Sequence, residues 1–193
     1  VLISDCEFNA LRRGIYLGGS AETRIYITIA NNHFKDIGYG NTGEYFIYTA
    51  NNLVLRESII SNNVGSTSYN DAYIFAGSGT SQYCRRCTFI GNINGYGLLL
   101  GGQNFLSCTI IGNTCYYPSN SGGAAIDLGY PYGTTIIGNS GHDLQGTTYL
   151  VLLSNGDYNT VIGNTADGGS GVVSYGSNTN SEIAHNVWAS SGW

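Results

Sequence analysis

The residues able to do chemistry in this sequence are few and scattered. Asp127, Asp143 and Asp157 are the candidate catalytic carboxylates of the second half. Such side chains, when clustered, act as acid and base at a glycosidic bond or hold calcium. Their partners are missing, because no Arg follows Arg86 and the one Lys is Lys35. No residue is therefore assigned a catalytic role. His33, His142 and His185 fall in segments too far apart to share a zinc ion, since such a site needs three or four converging ligands. No metal and no cofactor are expected. Cys84 and Cys87 form a CxxC, which carries redox or zinc chemistry in other contexts. In an extended segment residues three apart lie roughly 10 Å apart on opposite faces, beyond disulfide reach. Buried or stacked thiols are the expected state. Gly77-Ser78-Gly79 and Gly168-Gly169-Ser170-Gly171 are followed by no Lys, so they read as turns rather than phosphate loops.

The elements that position these residues are set by an internal repeat. Thr109-Ile110-Ile111-Gly112-Asn113 recurs at Thr135, Thr160 and Thr88, with looser copies at Thr28, Ser58 and Glu182. The closing Asn then falls at Asn32, Asn62, Asn92, Asn113, Asn139, Asn164 and Asn186, and a partial earlier copy puts Leu11 in the same column. A second block precedes each full copy, as in Gly14-Ile15-Tyr16-Leu17-Gly18, Phe46-Ile47-Tyr48-Thr49 and Ala125-Ile126-Asp127-Leu128-Gly129. Short segments rich in β-branched and aromatic residues, closed by Gly or Asn, are strands. Several per period of 21 to 30 residues make a solenoid in which each coil buries its neighbour's apolar face. The expected fold is all-β, a parallel β-helix (β-solenoid) of about eight coils forming a single domain over residues 1–193.

Stacking converts the repeat into columns. Ile15, Ile47, Ile74, Leu98, Ile126, Val151 and Val173 are expected to form one core ladder; Ile29, Ile59, Phe89, Ile110, Ile136, Val161 and Ile183 form a second. The stacked Asn residues sit where the chain bends, and their amides bond along the ladder. Cys87 and Cys108 share a column and are expected to be free thiols. Strand alternation turns Tyr16, Tyr48, Phe75, Leu99, Asp127, Leu152 and Ser174 outward. The apolar members Tyr16, Tyr48, Phe75, Leu99 and Leu152 form a candidate assembly interface. The column Ile60, Ile90, Ile111, Ile137 and Ile162 reads equally as outward or as an additional core layer. Insertions after the Asn turn carry Tyr39, Tyr45, Tyr69, Tyr116 and Tyr117, which are candidate contacts to glycan or protein.

Composition narrows the function. The net charge is -5 with pI near 4.9, which leaves no basic surface for nucleic acid. No apolar run is long enough to span a bilayer. The chain has no Met, including at position 1, and so reads as a processed chain or a segment of a longer one. Repeats of the form Gly14-Ile15-Tyr16-Leu17-Gly18, a further strand, then Thr109-Ile110-Ile111-Gly112-Asn113 resemble the right-handed parallel β-helices of the pectin-lyase-like superfamily. That group includes polysaccharide lyases, polygalacturonases and phage tailspikes. The resemblance implies an extracellular, cell-surface or virion protein. Of the motifs typical of polygalacturonases only the fragment Gly141-His142-Asp143 occurs. The expected function is accordingly a non-enzymatic structural or adhesive module, a tail-fibre or tailspike body or a surface filament subunit. Its expected partners are copies of itself and polysaccharide. A polysaccharide lyase or glycosidase is the alternative. A third reading, an ice-binding solenoid, follows from the column Thr88, Thr109, Thr135 and Thr160, although Ile occupies the place of a second threonine row.

Overall fold

The computed structural model describes residues 1–11, 13–18, 24–37, 45–49, 53–66, 73–77, 83–118, 123–146 and 148–190. Among them there is no helix, and three parallel sheets run the length of the chain. Sheet A has eight strands of three residues each: Leu2–Ser4, Thr28–Ala30, Ile59–Ser61, Thr88–Ile90, Thr109–Ile111, Thr135–Ile137, Thr160–Ile162 and Glu182–Ala184. Sheet B, also eight-stranded, runs from Glu7–Asn9 to Val187–Ala189. Sheet C has ten strands. In the earlier coils its strand is split, as in Tyr45–Thr49 and Val54–Arg56; later it is continuous over nine residues, as in Leu98–Leu106, Ala124–Tyr132, Tyr149–Asp157 and Gly171–Thr179. The chain passes from C to A to B and then repeats, so strands adjacent in space belong to successive coils. This is a parallel β-solenoid.

The repeat motif is explained by the bend from A to B. Its first residue adopts φ of 52 to 66° in every coil and is Asp5, Asn31, Asn62, Gly91, Gly112, Gly138, Gly163 or His185. Only Gly adopts this left-handed conformation freely, with Asn and Asp next. The following residue is the Asn of the ladder, buried from Asn32 to Asn164 and replaced by Cys6 in the first coil. Asn113 Oδ1 accepts from the backbone N–H of Asn92 at 3.0 Å and from its Nδ2 at 2.9 Å, while Asn113 Nδ2 donates to the Phe89 carbonyl at 3.1 Å. One side chain thus satisfies both the bend of the preceding coil and its own, which is why the pair is Gly-Asn. A second polar ladder closes the bend from C to A through Ser58, Cys87, Cys108, Thr134 and Asn159. The Ser58 hydroxyl accepts from Ile27 N–H, Cys108 Sγ donates to the Cys84 carbonyl, and Asn159 Oδ1 accepts from Thr134 N–H.

Stacked rings fill the earlier coils. Phe34 lies 4.9 Å from Phe8 and 5.4 Å from Phe46, and Phe89 bridges Phe75 and Phe105 at 5.1 and 5.8 Å. Gly65 makes room for this stack, since a Cβ there would stand 2.0 Å from Phe46 Cε2. Aliphatic side chains such as Ile126, Ile136, Val151 and Val161 replace the rings in the later coils, all fully buried.

Three expectations are corrected by the pairing. Ile60, not Ile59, stacks between Ile29 and Phe89, and Asn63, not Asn62, carries the ladder. Ile59 is consequently 43% exposed and Ile60 0%. A shift of one residue reverses every side chain of a strand, and the doubled Ile59-Ile60 and Asn62-Asn63 fit both registers equally well. At the N-terminus Cys6 occupies the Asn column, where its N–H donates to Asn32 Oδ1; Leu11 does not. In sheet C, Phe75 pairs with Ile47 and Leu100, and Leu100 with Ile126. Phe75 and Leu99 are therefore core residues, 0% and 1% exposed, and not members of an outer assembly surface. Strict alternation fails there because the chain rounds a corner: Phe46 faces Phe34 of sheet B while Phe75, one column on, faces Phe89 of sheet A. Two successive positions turn inward.

Candidate functional site

With the register fixed, the outward column of sheet C reads Tyr16, Tyr48, Ala76, Gly101, Asp127, Leu152 and Ser174. It is not a continuous apolar stripe, since Asp127 interrupts it. Its first part supports an aromatic platform. The Arg13 guanidinium lies 4.4 Å from the Tyr48 ring centroid and 5.7 Å from that of Tyr16. Tyr16 stacks on Tyr48 at 5.9 Å, and Tyr45 packs on Tyr48 at 4.7 Å and on Tyr73 at 6.0 Å. Burial and the neighbouring Tyr48 push the Tyr45 hydroxyl above its ordinary pKa, against the pull of Arg13. Tyr45 thus remains a neutral, amphipathic ring with a hydrogen-bonding edge.

Beside the platform lies a cleft of about 180 Å³ lined by Tyr45, Tyr73, Gln103, Asp127 and the backbone of Gly77, Gly101 and Gly102. Gly101 is required by the ring of Tyr73, whose Cε1 would stand 2.8 Å from a Cβ at that position. Burial raises the Asp127 carboxyl above its ordinary pKa. The cleft therefore offers two tyrosine rings, an amide and a carboxyl.

A second cleft, of about 400 Å³, opens further along the same strands between Asn104, Tyr130, Tyr132, Asn155, Asp157 and Ser177. Tyr130 and Tyr132 are each 51% exposed, and the Tyr158 ring meets that of Tyr132 edge to face at 5.4 Å. Gly156 forms the floor, where a Cβ would stand 2.1 Å from the Pro131 carbonyl oxygen. Asp157 Oδ1 accepts from the N–H and the hydroxyl of Thr179. Sequence reasoning missed this cleft because it closed the block at Gly129, whereas the strand runs on to Tyr132. The available signal was the spacing of the two tyrosines, which places them on one face once the strand continues through Pro131.

The remaining candidates are dispersed. Asp127, Asp143 and Asp157 are not brought together: Asp127 lies mid-strand in sheet C, Asp157 ends the neighbouring strand, and Asp143 occupies an exposed left-handed turn at φ 52° in sheet B. Tyr45 lies in a strand and not in a projecting loop. Tyr116 and Tyr117 are exposed at the end of a sheet B strand; Tyr116 stacks on His142 at 5.0 Å and Tyr117 packs near Tyr96 at 5.6 Å. His142 Nδ1 lies 3.3 Å from Asp167 Oδ2, and Asp167 Oδ1 accepts from Asp143 N–H. Tyr39 and Tyr69 lie outside the described residues. Among the described residues no three His, Cys, Asp or Glu side chains are grouped to hold a metal ion, and no helix is long and apolar enough to cross a membrane. All five cysteines are free thiols; Cys84, Cys87, Cys108 and Cys115 are buried, and burial raises the Cys84 and Cys115 thiols well above their ordinary pKa.

The class defined by these observations is a parallel β-solenoid with a tyrosine-lined outer face. No protein-family model matches the chain, and no curated protein matches it in sequence.

Proposed function

We propose that this chain is a non-enzymatic structural or adhesive β-helix module that binds glycan along the outer face of sheet C. The reading places it in the pectin-lyase-like group, nearest in kind to a tailspike or tail-fibre body or a surface filament subunit. It also implies an extracellular, cell-surface or virion location and association with further copies of itself. The single observation that carries it is the set of tyrosines on one sheet face, half-buried at Tyr45 and Tyr73 and exposed at Tyr130 and Tyr132, interleaved with Gln103, Asn104, Asp127, Asn155 and Asp157. Tyrosine rings supply apolar area for the C–H face of a pyranose, and amides and carboxyls at the rim bond its hydroxyls. Arg13 stands at one end of the face, and Arg24, Arg56 and Arg85 lie in the earlier sheet C strands that lead into the second cleft, so acidic as well as neutral sugars fit.

One observation favours the enzymatic alternative: Asp127 is a partly buried carboxyl in a cleft, and burial shifts its pKa upward, the direction a general acid requires. Glycoside hydrolysis uses a second carboxylate within about 10 Å, and the Asp127 cleft has no other carboxylate lining it. The test is a panel of neutral and acidic polysaccharides offered to the purified chain, scored for retention and for products. Retention without release of reducing ends or unsaturated products is expected. Turnover abolished by Asp127→Asn would replace the structural reading by the enzymatic one.

A further inference from the structure

Sheet A carries an outer surface unlike that of sheet C. Thr88, Thr109, Thr135 and Thr160 pair in register on four successive strands and point outward, and their hydroxyls take no partner among the described residues. Two residues along, Ile90, Ile111, Ile137 and Ile162 form a parallel outward column, with Ile90 39% and Ile137 36% exposed. The two columns lie roughly 7 Å apart and repeat at about 4.8 Å along the solenoid. Beyond the isoleucines the bend residue is Gly91, Gly112, Gly138 or Gly163, and a Cβ on the last three would meet nothing within 4 Å. Asn31 and Asn62 occupy this position in earlier coils and His185 in the last, so glycine here also keeps the corner low. No charged side chain stands in either column over these four strands; charge resumes at the margins, with Glu182 in the next strand and the Arg86–Glu57 pair at the corner.

The chemistry of this face excludes most ligands in turn. Without cations it does not attract phosphates or anionic lipid headgroups, and without aromatic rings it lacks stacking surface for sugars. A patch of about 20 by 10 Å is well below the roughly 800 Å² per partner of a stable protein interface, and it offers no Trp, Tyr or Arg anchor. What remains is a ligand that is itself uncharged, hydrogen-bonding and periodic at the strand repeat. We infer that this face binds ice, with the threonine hydroxyls joining the lattice and the methyl groups of Thr and Ile ordering water between them. The spacing of the threonine column is close to the repeat of oxygen atoms along an ice prism face. Pre-organisation supports the match. Thr and Ile are stiff at χ1, the strands are backed by the fully buried Phe89, Ile110, Ile136 and Val161, and side-chain ladders of the kind formed by Asn92, Asn113, Asn139 and Asn164 hold a sheet flat. The array therefore loses little entropy on meeting a solid. The inference does not rest on glycan binding, which occupies another face.

The test is thermal hysteresis and ice-crystal shaping by the full chain. The expected result is a freezing point held below the melting point and faceted crystals, both reduced to buffer level by Thr109→Lys with Thr135→Lys. Tyr16→Lys on sheet C should leave both unchanged. If the double lysine variant loses its β-sheet circular dichroism, Thr135→Leu serves in its place, because it removes a hydroxyl and raises the surface without adding charge. Absence of hysteresis and of shaping in the wild-type chain overturns the inference. So does a concentration-dependent oligomer that the lysine variants dissolve, which would make the face a protein interface.

Discussion

At the scale of single residues, two side chains govern much of the behaviour described. Asn113 is buried and joins three coils, donating to the Phe89 carbonyl and the Asn139 amide while accepting from Asn92. Asn113→Ala leaves several of these groups buried and unpaired and should cost about 2 to 4 kcal/mol. Urea denaturation of the variant checks this, and an unchanged midpoint would show that the ladder contributes nothing net. Asp127 behaves in the opposite sense. Burial raises its folded-state pKa, so the folded protein binds a proton more tightly than the unfolded one and loses stability as pH rises from the unfolded value through the folded one. Asp127→Asn should therefore melt above wild type at neutral pH, with the gap closing below about pH 4, the unfolded carboxylate range. A gap independent of pH would assign the effect to packing instead.

At the scale of elements, glycines separate two requirements that look alike in the sequence. Gly138 supplies φ 62° and a Cβ there meets open space, so Gly138→Asn should be nearly neutral, as Asn31 and Asn62 already show in equivalent bends. Gly156 has ordinary backbone angles but sits against the Pro131 carbonyl, so Gly156→Ala should displace two sheet C strands and lower the melting temperature. Equal effects of the two substitutions would contradict this division. The repeat made sheet A and the ladder readable from sequence because Gly-Asn satisfies a backbone angle and a bend together. The same pattern failed where it was degenerate, at Ile59-Ile60 and Asn62-Asn63. It failed again at Phe75 and Leu99, where a corner turns two neighbours inward and no local signal marks it. Half of the candidate site was legible for a related reason. Tyr45 was visible as an aromatic outside the core pattern, whereas Tyr130, Tyr132 and Tyr158 emerge only when the late sheet C strands are seen to run for nine residues.

At the scale of the whole molecule, three faces divide the labour. Sheet C is aromatic and polar, sheet A is uncharged and periodic over the strands from Thr88 to Ile162, and sheet B carries the Tyr116, His142 and Asp167 contacts. Leu99 lies inside all three, so Leu99→Lys should unfold the chain, not merely detach it from a partner, with loss of its β-sheet circular dichroism; a folded variant would return Leu99 to the surface. Glycan binding along sheet C is the central claim. It is tested most directly by titrating the best-retained oligosaccharide of the panel into wild-type chain and single variants, with heat of binding as the readout. Tyr73→Ala and Tyr132→Ala should each weaken binding by roughly 2- to 10-fold, the value of one ring stacking contact, while Tyr26→Ala, which removes an exposed ring outside both clefts, should leave it unchanged. Binding that survives the first two substitutions and is lost with Tyr116→Ala would contradict the assignment and move the site to sheet B.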